Sequence, residues 1–356
     1  MRTMNGASVG IVGASGYAGM EATRILSAHP EVDLRFVTSD RWVGERVEKR
    51  LGPIGPAGRL TYVSNEQALA SLADCAAVLL ATPAEASLEL VPRLLEAGVR
   101  VIDLSGAFRL KDATAYPRHY ALEHKAPALL SEAIYGLPEL FRASIRGARL
   151  VANPGCYPTA AALSIMPLLQ AGLVETDSII IDAASGVTGA GRKAAEPYSF
   201  CEVDADFRAY KVLKHQHTPE ISQTLSTVAG ATVPITFTPH LLPVKRGILS
   251  TGYGFLKPGV TSAQVKEAFV SAYANEPFVV LAESADEVGL KDVVGTNLCR
   301  IGFTCDVSSN ARSRIVVISA IDNLVKGAAG QAIQNLNLVM GWKETAGLSS
   351  LWSHHP

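Results

Sequence analysis

The sequence predicts a doubly wound α/β domain followed by a second, α+β domain that carries a mostly antiparallel sheet. Three observations lead to this expectation. Short β-rich runs alternate with helical stretches through residues 1–153; glycines at 13, 16 and 19 stand where the first run meets the first helix; and beyond Pro154 the β-rich runs lengthen with fewer helices between them. A chain of 356 residues, 48% hydrophobic and 18% charged, is long enough for its core to split in two.

In the first half, β-rich runs cover residues 8–12, 33–37, 76–81 and 101–104, and helical patterns cover 16–28 and 85–97, the latter closed by Gly98. Such alternation builds βαβ units and a parallel sheet. The run Ala77-Val78-Leu79-Leu80-Ala81 is apolar without a break, as a strand covered by helices on both faces must be. In the second half, β-rich runs cover 178–181, 233–237, 249–255, 298–305 and 314–321, with helical stretches at 160–169 and 326–340. The expected division is a nucleotide-binding domain at 1–153, completed by a C-terminal helix at 326–356, and an α+β domain at 154–325. The glycine- and proline-rich residues 52–58 read as a surface loop.

Composition narrows the partners. With 32 basic against 33 acidic residues, no general field exists to gather nucleic acid or an anionic membrane, so a small molecule is expected. No apolar run has the length of a membrane span, and the opening residues do not read as a signal peptide. Five cysteines without a paired spacing suggest neither a disulfide framework nor a structural metal, so no metal is expected and a reducing cytoplasm fits best.

The first glycine loop reads Val9-Gly10-Ile11-Val12-Gly13-Ala14-Ser15-Gly16-Tyr17-Ala18-Gly19. Glycine is needed where the chain turns tightly and lets backbone N–H groups approach a pyrophosphate at the positive end of a helix. A Rossmann dinucleotide site is therefore expected, with Gly13, Ser15, Gly16, Tyr17 and Gly19 against the cofactor. At the end of the second strand, Thr38-Ser39-Asp40-Arg41 offers two readings. Ser39 and Arg41 would accept a 2′-phosphate and favour NADP, the preferred reading, whereas Asp40 would bind ribose hydroxyls.

Asn153-Pro154-Gly155-Cys156-Tyr157-Pro158-Thr159 precedes the helical stretch 160–169, which places Cys156 where a strand ends and a helix begins. The exposed N–H groups and dipole at that end favour a thiolate and a later oxyanion, so Cys156 is the expected nucleophile. Cys75, Cys299 and Cys305 read as small buried hydrophobes, and Cys201 as core or incidental. A partner that moves protons is needed as well. In Lys214-His215-Gln216-His217-Thr218-Pro219-Glu220-Ile221, Thr218 is a candidate N-cap and Pro219 fits the first helical position, which puts His217 just before a helix as a neutral base. His240 is a second candidate, and His354 and His355 read as a frayed terminus. A metal site at the His215/His217 pair lacks a further ligand cluster.

Together with residues 103–109, 185–192, 239–247 and 322–331, these segments resemble the N-acetyl-gamma-glutamyl-phosphate reductase family, relatives of aspartate-semialdehyde dehydrogenase, along nearly the whole chain. The resemblance implies an arginine-biosynthetic enzyme in which Cys156 forms an acyl thioester, His217 is the acid/base, and NADPH reduces the thioester with release of inorganic phosphate. It further implies that Ser185, Gly186 and Gly189 line the cofactor, that Asn323 contacts nicotinamide, and that Arg109, Asn153 and Arg246 bind substrate. The second domain would serve catalysis and dimerisation in a homodimer or homotetramer. Gly106 and Gln216 depart from the family pattern. Independently, an acyl phosphate that carries a carboxylate calls for two cationic clamps, for which guanidinium is suited. Two rivals stand beside this reading: the same chemistry on aspartyl or carrier-linked aminoadipyl phosphate, and a non-catalytic NADP-binding sensor.

Overall fold

The computed structural model describes residues 6–70, 72, 75–307 and 312–348. The described residues form two compact units, 6–155 with 328–348, and 156–327.

In the first unit the chain runs β1 (Ala7–Val12), α1 (Tyr17–Ser27), β2 (Val32–Val37), α2 (Glu48–Leu51), α3 (Asn65–Leu69), β3 (Ala77–Leu80), α4 (Ala84–Glu96), β4 (Arg100–Asp103), α5 (Ala115–Tyr120), α6 (Leu129–Glu132), β5 (Ile134–Tyr135), α7 (Pro138–Ile145) and β6 (Leu150–Ala152). The strands form one parallel sheet in the order β2-β1-β3-β4-β6-β5. All four residues of β3 are buried, which accounts for its unbroken apolar run. From β1 the winding goes outward to β2, then resumes on the other side at β3. The C-terminal ends of β1 and β3 thus flank the point of reversal, where sheets of this kind hold ligands. Residues 52–58 are not simply a surface loop: a 3₁₀ turn at Gly55–Arg59 buries Ala57 and Gly58, and Pro56 stands at its start, where a missing N–H is harmless.

The second unit runs α8 (Cys156–Gln170), β7 (Ile179–Gly186), α9 (Phe200–Val203), β8 (Arg208–Ala209), α10 (His217–Ala229), β9 (Ile235–Leu242), β10 (Ile248–Phe255), α11 (Ser262–Tyr273), β11 (Val279–Leu281), β12 (Cys299–Asp306) and β13 (Arg314–Ile321). Its sheet has the order β11-β12-β13-β10-β7-β9-β8 and is mostly antiparallel, with β11/β12 and β7/β9 as the parallel neighbours. Up to Leu169, α8 is apolar on all sides apart from buried Thr159 and Ser164, and every residue from Tyr157 to Leu169 is buried. It lies close on the sheet: a Cβ at Gly252 would come within 2.7 Å of Ile165, and Ser319 Oγ donates to the Ala160 carbonyl at 3.0 Å. Strands β7 and β9 extend to Gly186 and Leu242, further than the sequence suggests, because residues such as Thr238-Pro239-His240 lack a strand's alternation. Pro239 is tolerated since the outer neighbour of β9 is only the two-residue β8.

A π-helical turn at Val325–Ala329 leads into α12 (Gly330–Val339), which packs on α1 and α7 in the first unit. The helix expected over 326–356 therefore stops at Val339; residues 349–356, including His354 and His355, lie outside the described residues. Every residue of α12 is buried, and the amide nitrogens of Asn335 and Asn337 find partners inside the unit. Asn335 Nδ2 donates to Gly136 O at 2.8 Å, and Asn337 Nδ2 donates to Glu344 O and Ala346 O at 2.9 Å. Among the described residues no helix is long and apolar enough to cross a membrane.

His29 ties this helix to α1. Its Nδ1 accepts the Glu31 N–H at 3.2 Å, so the proton resides on Nε2 and is donated to Asn337 Oδ1 at 2.9 Å. Burial lowers the His29 pKa below its ordinary 6.5. The neutral ring is thus the one the fold prefers. Its stabilisation is complete above the unfolded pKa and is lost as the pH falls from there through the lowered folded value. Thermal unfolding is expected to move down by a few degrees between pH 7 and pH 5, and His29→Gln should flatten that slope; an unchanged slope would refute the assignment.

Candidate active site

The glycine loop is shaped largely by the protein itself. Gly13 has φ +84°, and a Cβ there would lie 2.5 Å from Ala81 O; a Cβ at Gly19 would lie 2.4 Å from Gly13 O. These two glycines let β1, α1 and the end of β3 meet. Gly16 differs, because a Cβ there would meet no protein atom closer than 3.7 Å. Its missing side chain leaves space open beside the loop. Gly16 caps α1 without a side-chain hydrogen bond, no acidic residue stands in the first turn, and half-buried Ser15 and Tyr17 flank it. An anionic pyrophosphate fits such an end. Thr38, not singled out in the sequence, accepts the Gly13 N–H at 3.0 Å and donates to Asn65 Oδ1 at 2.7 Å, bracing the loop. Ser39 is buried with its Oγ accepting the Trp42 N–H at 3.1 Å, so it shapes a turn, whereas Asp40 and Arg41 are exposed.

Also in the first unit, Asp103 at the end of β4 is fully buried and accepts from Ser87 Oγ, Ser105 Oγ and the Ser105 N–H. Burial raises its pKa despite these bonds. Arg109 is 7% exposed and donates Nε to Asn153 O at 2.8 Å and a terminal N–H to Leu104 O at 2.7 Å. Asn153 is fully buried; its amide donates to Ala328 O at 3.3 Å and accepts from Asn335 Nδ2 at 3.0 Å. Both residues, expected to bind substrate, thus also make hydrogen bonds within the protein. Their polar groups are engaged by the protein, and they hold the chain just ahead of Cys156.

Cys156 is the first residue of α8 and partly exposed, so the helix starts one turn earlier than the pattern of apolar residues suggests. Cys75 and Cys299 are buried, Cys305 is partly buried with its thiol pKa raised by burial, and Cys201 is exposed. Gly327, in the π-helical turn, has no room for a side chain: a Cβ would lie 2.7 Å from Cys156 Cβ. π turns often mark functional sites, and this one makes space for the cysteine.

Beside α8 stands a cluster of rings. Tyr210 donates to Tyr157 Oη at 3.2 Å, and Tyr157 donates to His240 O at 3.1 Å. Burial raises the pKa of both phenols, and a negative charge on Cys156 raises them further, so both remain protonated. His217 is the first residue of α10 and 8% exposed. The expected cap, Thr218, does not serve; His215 Nδ1 accepts the His217 N–H at 3.1 Å instead. An imidazole reaches the helix end because the backbone at Gln216 is already helical. Burial, with Lys211 adding a smaller push, brings His215 down to about 4. Neutral His215, its proton on Nε2 towards Tyr210 at 3.5 Å, thus fixes the start of α10. The His217 ring centre lies 4.8 Å from that of His215 and 6.0 Å from that of Tyr157. The sequence pointed to His217 but missed Tyr210, which follows an unremarkable pair of residues.

A second loop follows β7. Ser185 is 2% exposed, and a Cβ at Gly189 would lie 2.9 Å from its Oγ. A Cβ at Gly186 would lie 2.8 Å from Arg246 N, so this glycine is required by the neighbouring chain. Asn323 is also buried: its Oδ1 accepts the Gly247 N–H at 2.8 Å and its Nδ2 donates to Thr188 Oγ1 at 3.0 Å. That amide, expected to contact nicotinamide, bridges two loops. Arg246 is half-buried, with one terminal nitrogen 3.5 Å from Asp322 Oδ2. Asp322, fully buried, also accepts the N–H groups of Gly295 and Leu324 at 2.7 and 2.8 Å.

A dinucleotide-type loop on a parallel sheet, followed by a unit with a cysteine at a helix start, defines an oxidoreductase of the semialdehyde dehydrogenase class. Residues 8–148 match the family described as "Semialdehyde dehydrogenase, NAD binding domain", and residues 156–323 match "Semialdehyde dehydrogenase, dimerisation domain". The chain is 48% identical to the N-acetyl-gamma-glutamyl-phosphate reductase of Symbiobacterium thermophilum, covering 98% of this chain and 99% of that one. It therefore belongs to the N-acetyl-gamma-glutamyl-phosphate reductase family. Its fold is also that of aspartate semialdehyde dehydrogenase II from Vibrio cholerae, with a TM-score of 0.73 at 18% identity over 94% of this chain and 98% of that one. The aspartate semialdehyde dehydrogenase of Candida albicans, solved with NADP, gives a TM-score of 0.65 at 14% identity over 94% and 98%.

Proposed function

We propose that this chain reduces N-acetyl-gamma-glutamyl phosphate to N-acetylglutamate 5-semialdehyde with NADPH, in arginine biosynthesis, through a thioester on Cys156. The observation that carries the reading is the placement of Cys156: a partly exposed thiol at the first position of a buried helix, in one unit with His217. The Cys156 sulfur attacks the acyl carbon, forming a C–S bond as the C–O bond to phosphate breaks and inorganic phosphate leaves. Backbone N–H groups at the start of α8 hold the oxygen while it carries negative charge. Reduced nicotinamide, when bound, supplies hydride to a carbonyl carbon. His217 protonates the oxygen of the resulting thiohemiacetal and takes the proton back as the C–S bond breaks, its electron pair returning to sulfur. Covalent capture keeps the carbonyl electrophilic after phosphate has gone.

Other residues take supporting parts. Gly16 and the uncapped start of α1 receive the pyrophosphate, and exposed Arg41 takes the 2′-phosphate of NADP, the cofactor held by a solved protein of the same fold. Arg246 meets the anionic end of the substrate, held in place by Asp322. Arg109, Asn153 and Asn323 position these groups without touching substrate. Residues 156–323 pair two copies of the chain in a homodimer.

The test is the reverse reaction. Purified protein given N-acetylglutamate 5-semialdehyde and NADP should reduce the nucleotide only when inorganic phosphate is present, because phosphate must release the acyl group from sulfur. Reduction that ignores phosphate, or that prefers aspartate semialdehyde, would overturn the reading.

A further inference from the structure

Cys156 and His217 each open a helix, α8 and α10, and one series of hydrogen bonds joins the two starts. The His217 N–H donates to His215 Nδ1 at 3.1 Å, and His215 Nε2 stands 3.5 Å from Tyr210 Oη. Tyr210 donates to Tyr157 Oη at 3.2 Å, and Tyr157 donates to His240 O at 3.1 Å. The two ends set the direction of the series, because a backbone N–H can only donate and a backbone carbonyl can only accept. Read from His240 O, Tyr157 gives its proton to the carbonyl, Tyr210 gives its own to Tyr157, and the Tyr210 oxygen accepts from His215 Nε2. Read from the His217 N–H, His215 Nδ1 carries the lone pair and its proton is on Nε2. Both ends demand the same tautomer. Donors that all point one way polarise one another, most where water is excluded. Buried Phe237 packs edge-on against Tyr157 and His215, with ring centres 5.3 and 5.6 Å apart.

Tyr210 is the link that its neighbours in sequence do least to place. It lies half-buried between exposed Ala209 and the exposed residues 211–214, ahead of buried His215. The backbone around it is strained. Ala205, Lys211 and Leu213 have φ of +57°, +46° and +57°, three of the four non-glycine residues with left-handed backbone among the described residues. Such conformations persist only where the surroundings over-determine them, and they gather at functional sites. Here the segment is held inward by the Tyr210 N–H, donated to Pro239 O at 3.0 Å, and by the Tyr210 phenol. We infer that Tyr210 is a positioning residue: its phenol holds His215 in one tautomer, and thereby holds the start of α10, with His217, against the residue that follows Cys156. The inference rests on the roles proposed above for Cys156 and His217.

The arrangement separates two neighbouring histidines. Both ring nitrogens of His215 are engaged in the series, whereas His217 contributes its backbone N–H and keeps its imidazole outside it, which suits His217 to the acid/base role. His215 is held neutral: burial, with the Lys211 ammonium, brings its pKa down to about 4, and the rings of Tyr157, Tyr210 and His217 stand around it. Ser185, at the end of β7, also bonds the Tyr157 phenol, so the series reaches the loop proposed to line the cofactor. Removing the Tyr210 oxygen would take the acceptor from a buried Nε2–H. Shifting that proton to Nδ1 only moves the fault, since the His217 N–H would then face another donor. In either case the start of α10 must move.

Ring-nitrogen NMR on isotopically labelled histidine tests this, with His215 assigned by the signal missing from His215→Gln. In the wild type His215 should be neutral with its proton on Nε2 at pH 7, and should remain so at pH 5.5. A proton on Nδ1, or an imidazolium at pH 7, overturns the series. In Tyr210→Phe the single tautomer should be lost, the His217 ring signals should move, and kcat should fall on the order of 10- to 100-fold with KM for NADPH little changed. Wild-type kcat, or unmoved His217 signals, in that variant overturns the positioning role. Should Tyr210→Phe fail to fold, Tyr157→Phe breaks the series one link later with Tyr210 kept, and the same readings decide. The spectra need no turnover. A wild type that shows the expected tautomer yet reduces no acyl phosphate would therefore count against the proposed reductase activity and leave the series standing.

Discussion

With Cys156 replaced by alanine, acyl phosphate reduction is expected to fall by at least about 10⁴-fold while NADPH still binds. The size of the effect follows from the role proposed for the sulfur. Without it no thioester forms, and hydride would have to reach an acyl phosphate that no group has captured. The start of α8 would still offer its N–H groups to an oxyanion, so a small residual rate above water is expected. Cys156→Ser should fare little better, because an alkoxide is far harder to form than a thiolate. Alkylation by iodoacetamide provides a second readout: it should remove activity in proportion to the label found on Cys156, although Cys201 is more exposed. If the alanine variant retained a tenth of the wild-type kcat, Cys156 would not be the nucleophile.

A second large effect is expected from a residue that takes no part in the chemistry. Gly327→Ala would put a Cβ 2.7 Å from Cys156 Cβ, well inside van der Waals contact. Neither side yields easily. Cys156 begins a helix buried along its length, and Gly327 lies in the π turn where Val325 and Gly327 donate to Asp322 O. Relief requires moving the cysteine or the turn, at about 1–3 kcal/mol for overpacking. A shift of ~1 Å at a nucleophile costs on the order of 10²-fold in rate. We expect kcat to fall by about that factor, KM to change little, and the melting temperature to drop by several degrees. Wild-type kcat in a normally folded G327A protein would show that the turn accommodates a methyl group and that the steric argument fails.

Much of this architecture was legible from the residues alone, and the reasons are local. An apolar run as short as 77–81, set between helical stretches, reads as a strand covered twice, and Gly13 takes a φ that other residues avoid. Asn153-Pro154-Gly155 ahead of Cys156 marks a turn into a helix. What the residues alone do not show is the partner that each polar side chain takes inside the fold. Thr218 looks like a helix cap, yet His215 reaches the same N–H, and His217 becomes the first helical residue. Ser39 looks like a phosphate ligand, yet its hydroxyl closes a turn with Trp42. Asn323 and Asn153 stand in motifs that suggest ligand contacts, yet their amides join distant pieces of their own units. Gly327 carried no local signal, because its need for a bare Cα arises from a cysteine far away in the chain.

By itself, then, the sequence determined the order of elements, the two kinds of sheet and the position of Cys156 at a helix start, since periodicity, backbone torsion and helix ends are set by residues close in the chain. Only the tertiary structure decided which polar side chains are engaged by the protein and which face outward, and which sheet face α8 covers. The physical reason is the same throughout: a buried donor or acceptor must be matched, and the group that matches it is brought there by packing between segments that no local pattern connects.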